Sequence, residues 1–86
     1  MNFKNDLDLF NTFLGSHAIV LAYFSTPRCT LCKALRPKVE ELLATEYPAA
    51  HFAYVDSTVN PLIAGQLSVF AVPTTVLFVE GRESSR

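Results

Sequence analysis

The apolar positions of the chain fall into continuous runs and into runs with helical spacing. Residues 18–24 are apolar throughout and rich in β-forming side chains, which predicts a central strand covered on both faces. Residues 51–56 predict a second strand, parallel to the first through a right-handed crossover, and residues 74–80 predict a third. The aromatic residues predicted to lie in the core are Tyr23, Phe24, Phe52, Phe70 and Phe78.

Helical spacing and capping residues predict three helices between and before these strands. Residues 30–46 are amphipathic and form the longest of them. Pro37 inside this segment lacks a backbone N–H donor, so a kink is expected there. The first helix is predicted to have its N-cap at Asn5 or Asp6 and to end at Gly15. The third is predicted to have its N-cap at Asn60 and Pro61 in its first turn, and to end near Leu67.

The predicted order α-β-α-β-α-β is typical of a layered α/β fold, here a single domain over residues 1–86. A chain of 86 residues that is 50% apolar can bury one small core. Its 7 basic and 8 acidic residues give no electrostatic footprint for nucleic acid or an anionic membrane. No apolar run approaches the roughly 20 residues that span a bilayer. Since the N-terminus lacks a signal-peptide pattern, a protein that starts natively at Met1 is expected in the cytoplasm.

The chain's only two cysteines, Cys29 and Cys32, lie at the turn between the first strand and the second helix. A cysteine at a helix N-terminus faces unpaired N–H groups and the positive end of the helix dipole, which favour the thiolate. Arg28 and Lys33 add positive charge beside the pair. Cys32 lies one turn further on, on the helical face of Leu35, and is predicted to be the more buried thiol. An activated, accessible thiol next to a sheltered one is the layout of a dithiol–disulfide redox site.

The residues alone leave redox chemistry, metal binding and an inert pair open. In the cytoplasm, cysteines at this spacing indicate redox or metal chemistry rather than a structural disulfide. Structural zinc needs four ligands, and His17 and His51 could contribute only if the fold brought them to the cysteines; ordinary surface positions are the simpler interpretation. No phosphate loop, paired carboxylates or Ser/His/Asp set is present, so no cofactor and no resident metal are expected.

A proline-containing segment, taken together with the cysteines, resembles the thioredoxin superfamily. Val72-Pro73-Thr74 leads directly into the third strand and is similar to the cis-proline segment of that family. Pro37, five residues after Cys32, matches the proline of the family's active-site helix. Further matches are Asp56 at the end of the second strand and Glu80-Gly81 in the last turn. The resemblance covers nearly the whole chain and implies a thioredoxin-like fold, with a mainly parallel central sheet flanked by helices.

The resemblance also implies roles for the residues around the cysteines. Cys29 would attack a disulfide of a partner protein, and Cys32 would resolve the mixed disulfide by closing the Cys29–Cys32 bond. A cis bond before Pro73 would leave the Val72 backbone free to pair with a substrate strand. The implied substrate-binding residues are Arg28, Thr30, Leu31, Val72, Pro73 and Thr74. The implied partners are disulfide-containing proteins and an electron donor of the thioredoxin-reductase type.

Several positions near the cysteines depart from the family's pattern. Arg28 replaces the typical tryptophan, and Thr30-Leu31 replaces the common Gly-Pro pair. Tyr23 aligns with the buried aspartate behind the resolving cysteine, and Phe52 aligns with the lysine partner of that aspartate. Tyr23 cannot be a carboxylate base near neutral pH, so water or the leaving thiolate is the expected proton acceptor for Cys32. Arg28 is either a solvated side chain or a thiolate-stabilising, partner-selecting contact. These departures predict a thioredoxin-like protein rather than a housekeeping thioredoxin.

The chain is also shorter than the family's usual domain. Residues 1–3 leave room for only a stub of the first strand, and the last strand and closing helix are expected to be missing after Gly81. An uncovered sheet face would expose apolar surface from residues 74–79, and an open edge would invite strand pairing. Either the chain is a shortened piece of a longer protein, or a partner subunit covers the gap, as in a homodimer formed through the open edge or the uncovered face.

The leading hypothesis is a cytoplasmic thiol–disulfide oxidoreductase, a protein-disulfide reductase that cycles Cys29 and Cys32. A redox-inactive binding module with the same fold is the second hypothesis, and a CxxC metal-binding protein is the third. A thiolate stabilised at a helix terminus makes the disulfide more oxidising, but Thr30-Leu31 carries no cation to extend this effect. Reversible disulfide formation separates the first hypothesis from the other two.

Overall fold

The computed structural model describes residues 3–86, which fold into three helices and four strands. In chain order the elements are α1 (Leu7–Gly15), β1 (Ile19–Ser25), α2 (Thr30–Glu46), β2 (His51–Asp56), α3 (Pro61–Gln66), β3 (Thr74–Val79) and β4 (Arg82–Ser85). The three predicted helices and the three predicted strands are all present, with limits close to those expected. Across the described residues, no helix has both the length and the apolar character needed to cross a membrane.

The four strands form one mixed sheet in the order β2-β1-β3-β4. β1 is parallel to β2 and antiparallel to β3, and β3 is antiparallel to β4, so the expected mainly parallel sheet is wrong. The length of α3 gives the reason. A helix of six residues is about 9 Å long, less than half the roughly 20 Å of a six-residue strand. The chain therefore stays at the end of the sheet where β2 finishes, and β3 runs back from there.

β4 corrects the expectation that the last strand is missing. Glu80 and Gly81 both have left-handed backbone angles, φ 53° and 79°, which make the two-residue hairpin turn that joins β3 to β4. Every residue of β4 is exposed and polar, so this edge strand is held by backbone pairing and leaves no apolar signal in the sequence. Residues 3–86 contain no helix after β4. Met1 and Asn2, which belong to the expected strand stub, lie outside the described residues, and Phe3 is buried outside any strand.

One face of the sheet is closed by α1 and α3. The ring of Phe10 lies edge-on to Phe3 and Phe78, with centroids 5.0 and 6.1 Å apart. Alternate residues of β1 point into this layer, since successive side chains of a strand face opposite sides. The buried residues of this closed face are Phe3, Phe10, Leu14, Val20, Ala22, Phe24, Ala53, Val55, Ile63, Ala64, Val69, Val76 and Phe78.

Two asparagines fasten the segment before α1 to the start of α3. The buried side chain of Asn60 accepts a hydrogen bond from the Asn5 backbone N–H at 2.8 Å and donates one to the Asp56 carbonyl at 2.9 Å. Asn5 Oδ1 in turn accepts the backbone N–H of Leu62 at 2.8 Å. Asn60 thus occupies the predicted N-cap position of α3, but Asn5 caps the helix with its side chain. At α1 the expected cap is confirmed, because Asp6 accepts the N–H groups of the first turn.

The other face of the sheet is only partly covered by α2. An apolar groove of about 570 Å³ runs between the helix and the strands. Leu42 of α2 is 59% exposed, and Tyr47, the residue after the end of the helix, is 60% exposed, whereas Leu43 is buried. The expectation of exposed apolar surface from residues 74–79 is therefore confirmed. The residues that line the groove are Ile19, Leu21, Val39, Leu42, Leu43, Tyr47, Thr75, Leu77, Val79, Ser85 and Arg86.

The predicted aromatic core is correct for three of its five residues. Tyr23, Phe24 and Phe78 are buried, and Phe52 is half-buried. Phe70 was assigned to the core wrongly, because its side chain is 88% exposed. Its neighbour Val69 takes the core position instead.

Candidate active site

The turn from β1 to α2 fixes Cys29 as the N-cap residue of the helix. Cys29 has an extended backbone, φ −80° and ψ 96°, and its N–H donates to the Thr26 carbonyl at 3.1 Å. Its Sγ accepts the backbone N–H of Cys32 at 3.1 Å, as a capping side chain does. The sulfur of Cys29 thus lies where the unpaired N–H groups of the helix begin.

Cys29 and Cys32 are joined by a disulfide, with their Cα atoms 5.2 Å apart. Cys29 is half-buried and Cys32 is fully buried, which confirms that Cys32 is the more sheltered sulfur. The two sulfurs can therefore exchange electrons as a dithiol–disulfide couple, and only Cys29 is open to a large partner.

The residues around the pair are exposed to solvent. Leu31, between the two cysteines, is 64% exposed, and Thr30 beside it is also exposed. Arg28 is exposed and makes no ion pair within residues 3–86. The surface next to Cys29 therefore presents a guanidinium, a hydroxyl and an isobutyl group to whatever approaches the sulfur.

The Val72-Pro73-Thr74 segment lies at the same end of the sheet as the cysteines. Thr74 opens β3 opposite Phe24, which is one residue before the end of β1, and the cysteine turn follows directly. The Val72–Pro73 peptide bond is cis. Thr74 Oγ1 donates to the Ala71 carbonyl at 2.6 Å, and within the described part of the chain the backbone of Val72 makes no hydrogen bond. Val72, Pro73 and Thr74 are half-buried, so a partner chain can reach them.

Behind the disulfide, Tyr23 of β1 reaches the first turn of α2. Its hydroxyl donates to the Cys32 carbonyl at 2.6 Å, and the whole residue is buried. Burial raises the pKa of Tyr23 above its ordinary value, with Tyr54 adding to the rise and Arg36 opposing it. Tyr23 is therefore a neutral hydrogen-bond donor and cannot take the proton of Cys32 near neutral pH.

Two more aromatic residues and an arginine surround Tyr23. The Phe52 and Tyr54 rings lie 5.8 and 6.0 Å from the Tyr23 ring, between centroids. The Arg36 guanidinium lies 3.9 Å from the centroid of the Tyr54 ring and pairs with Glu40 on its own helix at 2.7 Å. Tyr23 and Phe52, which align with the aspartate and the lysine of the family, thus lie next to each other near Cys32. They belong to an aromatic cluster that stands in place of that charged pair.

Sequence reasoning missed one residue on the active-site side of the chain. Phe70, three residues before Pro73, is the most exposed large apolar side chain of the described residues. Its aromatic character alone predicts burial, and only its place in the loop before the Val72-Pro73-Thr74 segment could have indicated otherwise.

The histidines lie together but away from the cysteines. The His17 and His51 rings are 3.9 Å apart between centroids, and His17 Nδ1 lies 2.9 Å from the Phe13 carbonyl oxygen. His51 opens β2 opposite Val20, at the start of β1, whereas the cysteine turn follows the end of β1. Among residues 3–86 no group of three or more His, Cys, Asp or Glu side chains could hold a metal ion.

Comparison with known proteins adds sequence relatives. A family model described as Thioredoxin matches residues 2–86. The chain is 32% identical to the thioredoxin-like protein YdfQ of Bacillus subtilis over 74 residues, covering 86% of this chain and 65% of that protein. It is 40% identical over 83 residues to protein disulfide-isomerase of Aspergillus niger, covering 94% of this chain and 16% of the isomerase. The chain thus spans less than two thirds of the length of these curated relatives.

The fold has close counterparts among solved structures. Mitochondrial thioredoxin 3 from Saccharomyces cerevisiae, in its oxidized form, superimposes with a TM-score of 0.84 at 28% identity. The match covers 92% of this chain and 74% of the yeast chain. The mixed sheet and its flanking helices therefore have the same overall arrangement as in that protein.

Proposed function

We propose, since this chain belongs to the thioredoxin family, that it is a thiol–disulfide oxidoreductase which reduces disulfides of partner proteins. One observation carries the proposal. The half-buried sulfur of Cys29 caps a helix and accepts the N–H of Cys32, while Cys32 is fully buried and bonded to it. This arrangement gives one sulfur that a partner can reach and a second that only Cys29 can reach.

In the first step, the thiolate of Cys29 attacks one sulfur of the partner's disulfide. A Cys29–partner bond forms and the partner's own S–S bond breaks, which releases its second sulfur as a thiolate. The N–H of Cys32 in the first turn of α2 stabilises negative charge on Cys29 before attack, because it points at the sulfur and has no backbone acceptor of its own.

In the second step, Cys32 attacks Cys29 and displaces the partner. The Cys29–Cys32 bond forms, the partner leaves as a dithiol, and two electrons have passed to it. The proton of Cys32 goes to water or to the leaving thiolate, since Tyr23 is already protonated. An electron donor of the thioredoxin-reductase type then returns two electrons to the disulfide. The reducing cytoplasm is the compartment in which we expect this cycle to run.

Partner proteins dock, in this proposal, as extended segments across the site. The unpaired backbone of Val72 is available for hydrogen bonds with such a segment. Arg28, Thr30 and Leu31 lie on one side of the segment, and Pro73 and Thr74 lie on the other. Phe70, fully available to solvent, adds an apolar contact that the sequence did not indicate.

A redox titration of the purified chain tests the proposal directly. The Cys29–Cys32 bond is scored by mass after equilibration in graded thiol/disulfide buffers. We expect a reversible two-electron transition with a midpoint near the roughly −270 mV of thioredoxin. A midpoint of roughly −120 to −180 mV would instead make the protein an oxidant or isomerase. Failure of the folded chain to form the bond would leave a redox-inactive binding module or a metal-binding protein.

Serine substitutions assign the two roles. Cys32→Ser is expected to trap Cys29 in mixed disulfides with an added disulfide-containing protein, because the resolving sulfur is absent. Cys29→Ser is expected to abolish exchange. If Cys29→Ser traps partners and Cys32→Ser does not, the roles are reversed. The measurement is non-reducing electrophoresis followed by mass spectrometry of the trapped species.

The docking surface has its own test. Phe70→Ser should lower kcat/KM for a protein disulfide several-fold, while reduction of a small aromatic disulfide, which does not reach beyond Cys29, stays unchanged. Tyr47→Ser is the matched control, because Tyr47 is exposed to a similar solvent environment at the far end of α2. If the two substitutions lowered kcat/KM for the protein substrate equally, Phe70 would not be part of the docking surface.

A further inference from the structure

A single buried side-chain hydrogen bond ties the first turn of α2 to the centre of the sheet. Tyr23 lies in the middle of β1, and its hydroxyl donates to the carbonyl of Cys32 at 2.6 Å. Cys32 is the third residue of α2, so this carbonyl belongs to the peptide group that carries the resolving cysteine. The hydroxyl therefore constrains the backbone of Cys32 from the sheet side.

The surroundings keep Tyr23 in place and keep it a donor. Its ring packs against Phe52 and Tyr54, and the Arg36 guanidinium of α2 covers the Tyr54 ring. Burial raises the pKa of Tyr23, so the hydroxyl retains its proton well above neutral pH. A buried donor that keeps its proton near neutral pH is suited to hold a carbonyl rather than to exchange protons.

The rest of α2 offers Cys32 less support. Pro37 has no N–H, so the carbonyl of Lys33 has no helical donor one turn later. Beyond this point the helix lies over the open groove, where Leu42 is 59% exposed. The attachment of the cysteine-bearing turn therefore depends on contacts close to Cys32 itself.

We propose that Tyr23 is a positioning residue for the resolving step, an inference that rests on the proposed oxidoreductase function. In that step the Cys32 thiolate attacks Cys29 Sγ, the Cys29–partner bond breaks, and the partner leaves as a thiolate that takes up a proton. The rate and equilibrium of such an intramolecular attack depend on how closely the nucleophile is held to its target. The Tyr23 hydroxyl holds Cys32 at that distance; it does not touch the reacting sulfurs and is not a catalytic group.

Equilibration with glutathione measures this positioning. The ratio of the Cys29–Cys32 disulfide to the Cys29–glutathione mixed disulfide reports the effective concentration of Cys32 at Cys29. Tyr23→Phe should lower this ratio about fivefold, the net effect of losing one hydrogen bond. The matched control is Tyr54→Phe, which removes a hydroxyl from the neighbouring ring that makes no hydrogen bond in residues 3–86. That variant should keep the wild-type ratio.

Two further measurements separate positioning from loss of structure. Alkylation of reduced Cys29 should proceed at the wild-type rate in Tyr23→Phe, because the substitution releases the Cys32 carbonyl and leaves the Cys32 N–H on the Cys29 sulfur. Placing 4-aminophenylalanine at position 23 keeps a donor at the same point of the ring and should restore the ratio. If Tyr23 only filled space, 4-aminophenylalanine would not restore the ratio that Tyr23→Phe lowers.

The outcomes are distinct. An unchanged ratio in Tyr23→Phe, or an equal loss in Tyr54→Phe, overturns the positioning role and leaves the proposed function intact. A loss of Cys29 reactivity in Tyr23→Phe, or no rescue by the amino derivative, also overturns it. If the wild-type chain forms no Cys29–Cys32 bond at any buffer ratio, the proposed function fails, and the inference fails with it.

Discussion

The two faces of the sheet are built from the same strands but are covered to very different degrees. Under α1 and α3, the β1 residues Val20, Ala22 and Phe24 are completely buried. Their neighbours Ile19 and Leu21 point the other way, under α2, and line a groove of about 570 Å³. Because side chains alternate along a strand, one seven-residue element contributes to a packed core on one side and to an open surface on the other.

This difference separates what holds the fold from what carries the chemistry. The closed face joins the first and last thirds of the chain through aromatic contacts. The open face carries α2, whose first residues bear the cysteines and whose buried attachments are Cys32 and Leu43. Substitutions in the closed face should therefore change stability strongly, and those at exposed positions of the groove should change it little.

The largest effect is expected from Phe10→Ala on the closed face. Phe10 is 2% exposed and contacts Phe3 and Phe78 edge-on, so its removal leaves a cavity between α1 and the sheet. We expect the free energy of unfolding to fall by about 3–5 kcal/mol, a large fraction of the roughly 5–15 kcal/mol that stabilises a typical domain. Urea denaturation followed by circular dichroism measures the change. A loss below 1 kcal/mol would mean that the closed face is not the main source of stability.

Asn60→Ala should have a smaller effect than Phe10→Ala. The substitution removes two hydrogen bonds of a buried side chain and leaves the Asn5 N–H without a partner, while the Asp56 carbonyl keeps the N–H of Val59. We expect a cost of about 1–3 kcal/mol in the free energy of unfolding. Asn11→Ala is the control, because Asn11 is an exposed residue of α1, and its change should stay within about 0.5 kcal/mol. Equal costs for the two variants would contradict the fastening of α1 to α3.

A smaller, pH-dependent effect is expected from Tyr23. Burial raises its pKa in the folded protein, so at alkaline pH the folded state keeps a proton that the unfolded chain has lost. The free energy of unfolding should then fall as pH rises above about 10, by no more than ~1.4 kcal/mol per pH unit for one proton. Tyr23→Phe should flatten this slope, and Tyr47→Phe, at an exposed position, should not. The free energy of unfolding of the wild type and the two variants is measured between pH 8 and 11. Parallel curves would show that Tyr23 is not the source of the pH dependence.

The smallest effect is expected on the open face itself. Leu42→Ala removes a side chain that is 59% exposed and should change the free energy of unfolding by about 0.5 kcal/mol or less. Its neighbour Leu43 is buried, and Leu43→Ala should cost about 2–5 kcal/mol. Urea denaturation of both variants gives the comparison. If Leu42→Ala proves as costly as Leu43→Ala, the groove is covered in solution.

Local patterns in the sequence were sufficient for α2 and for β1, β2 and β3. The helix limits follow from the cysteine turn and from Pro48, and the buried position of Cys32 follows from helical spacing. The direction of β3 and the pairing of β4 were harder to predict from the sequence. The antiparallel course of β3 depends on the length of α3, and β4 is held by backbone bonds that its polar side chains do not reveal.

Contacts between distant residues account for the remaining differences. The alignment placed Tyr23 behind the cysteines, but its bond to the Cys32 carbonyl depends on how α2 lies over β1. Asn60 was assigned to its own helix terminus, whereas its partner Asn5 comes from the beginning of the chain. Phe70 was placed in the core because it is aromatic, and the loop geometry that turns it outward leaves no periodic pattern.

The contact between Phe10 and Phe78 also bears on how the protein is made. These rings lie near opposite ends of the chain, and β1 needs β3 on one side as well as β2 on the other. A growing chain that has not yet reached β3 can pair β1 with β2 but lacks β3 and the Phe78 ring, so Phe10 stays incompletely covered during synthesis. Pairings of this kind form late because distant segments must first meet. We therefore expect folding to be completed in a single cooperative event after β3 has left the ribosome.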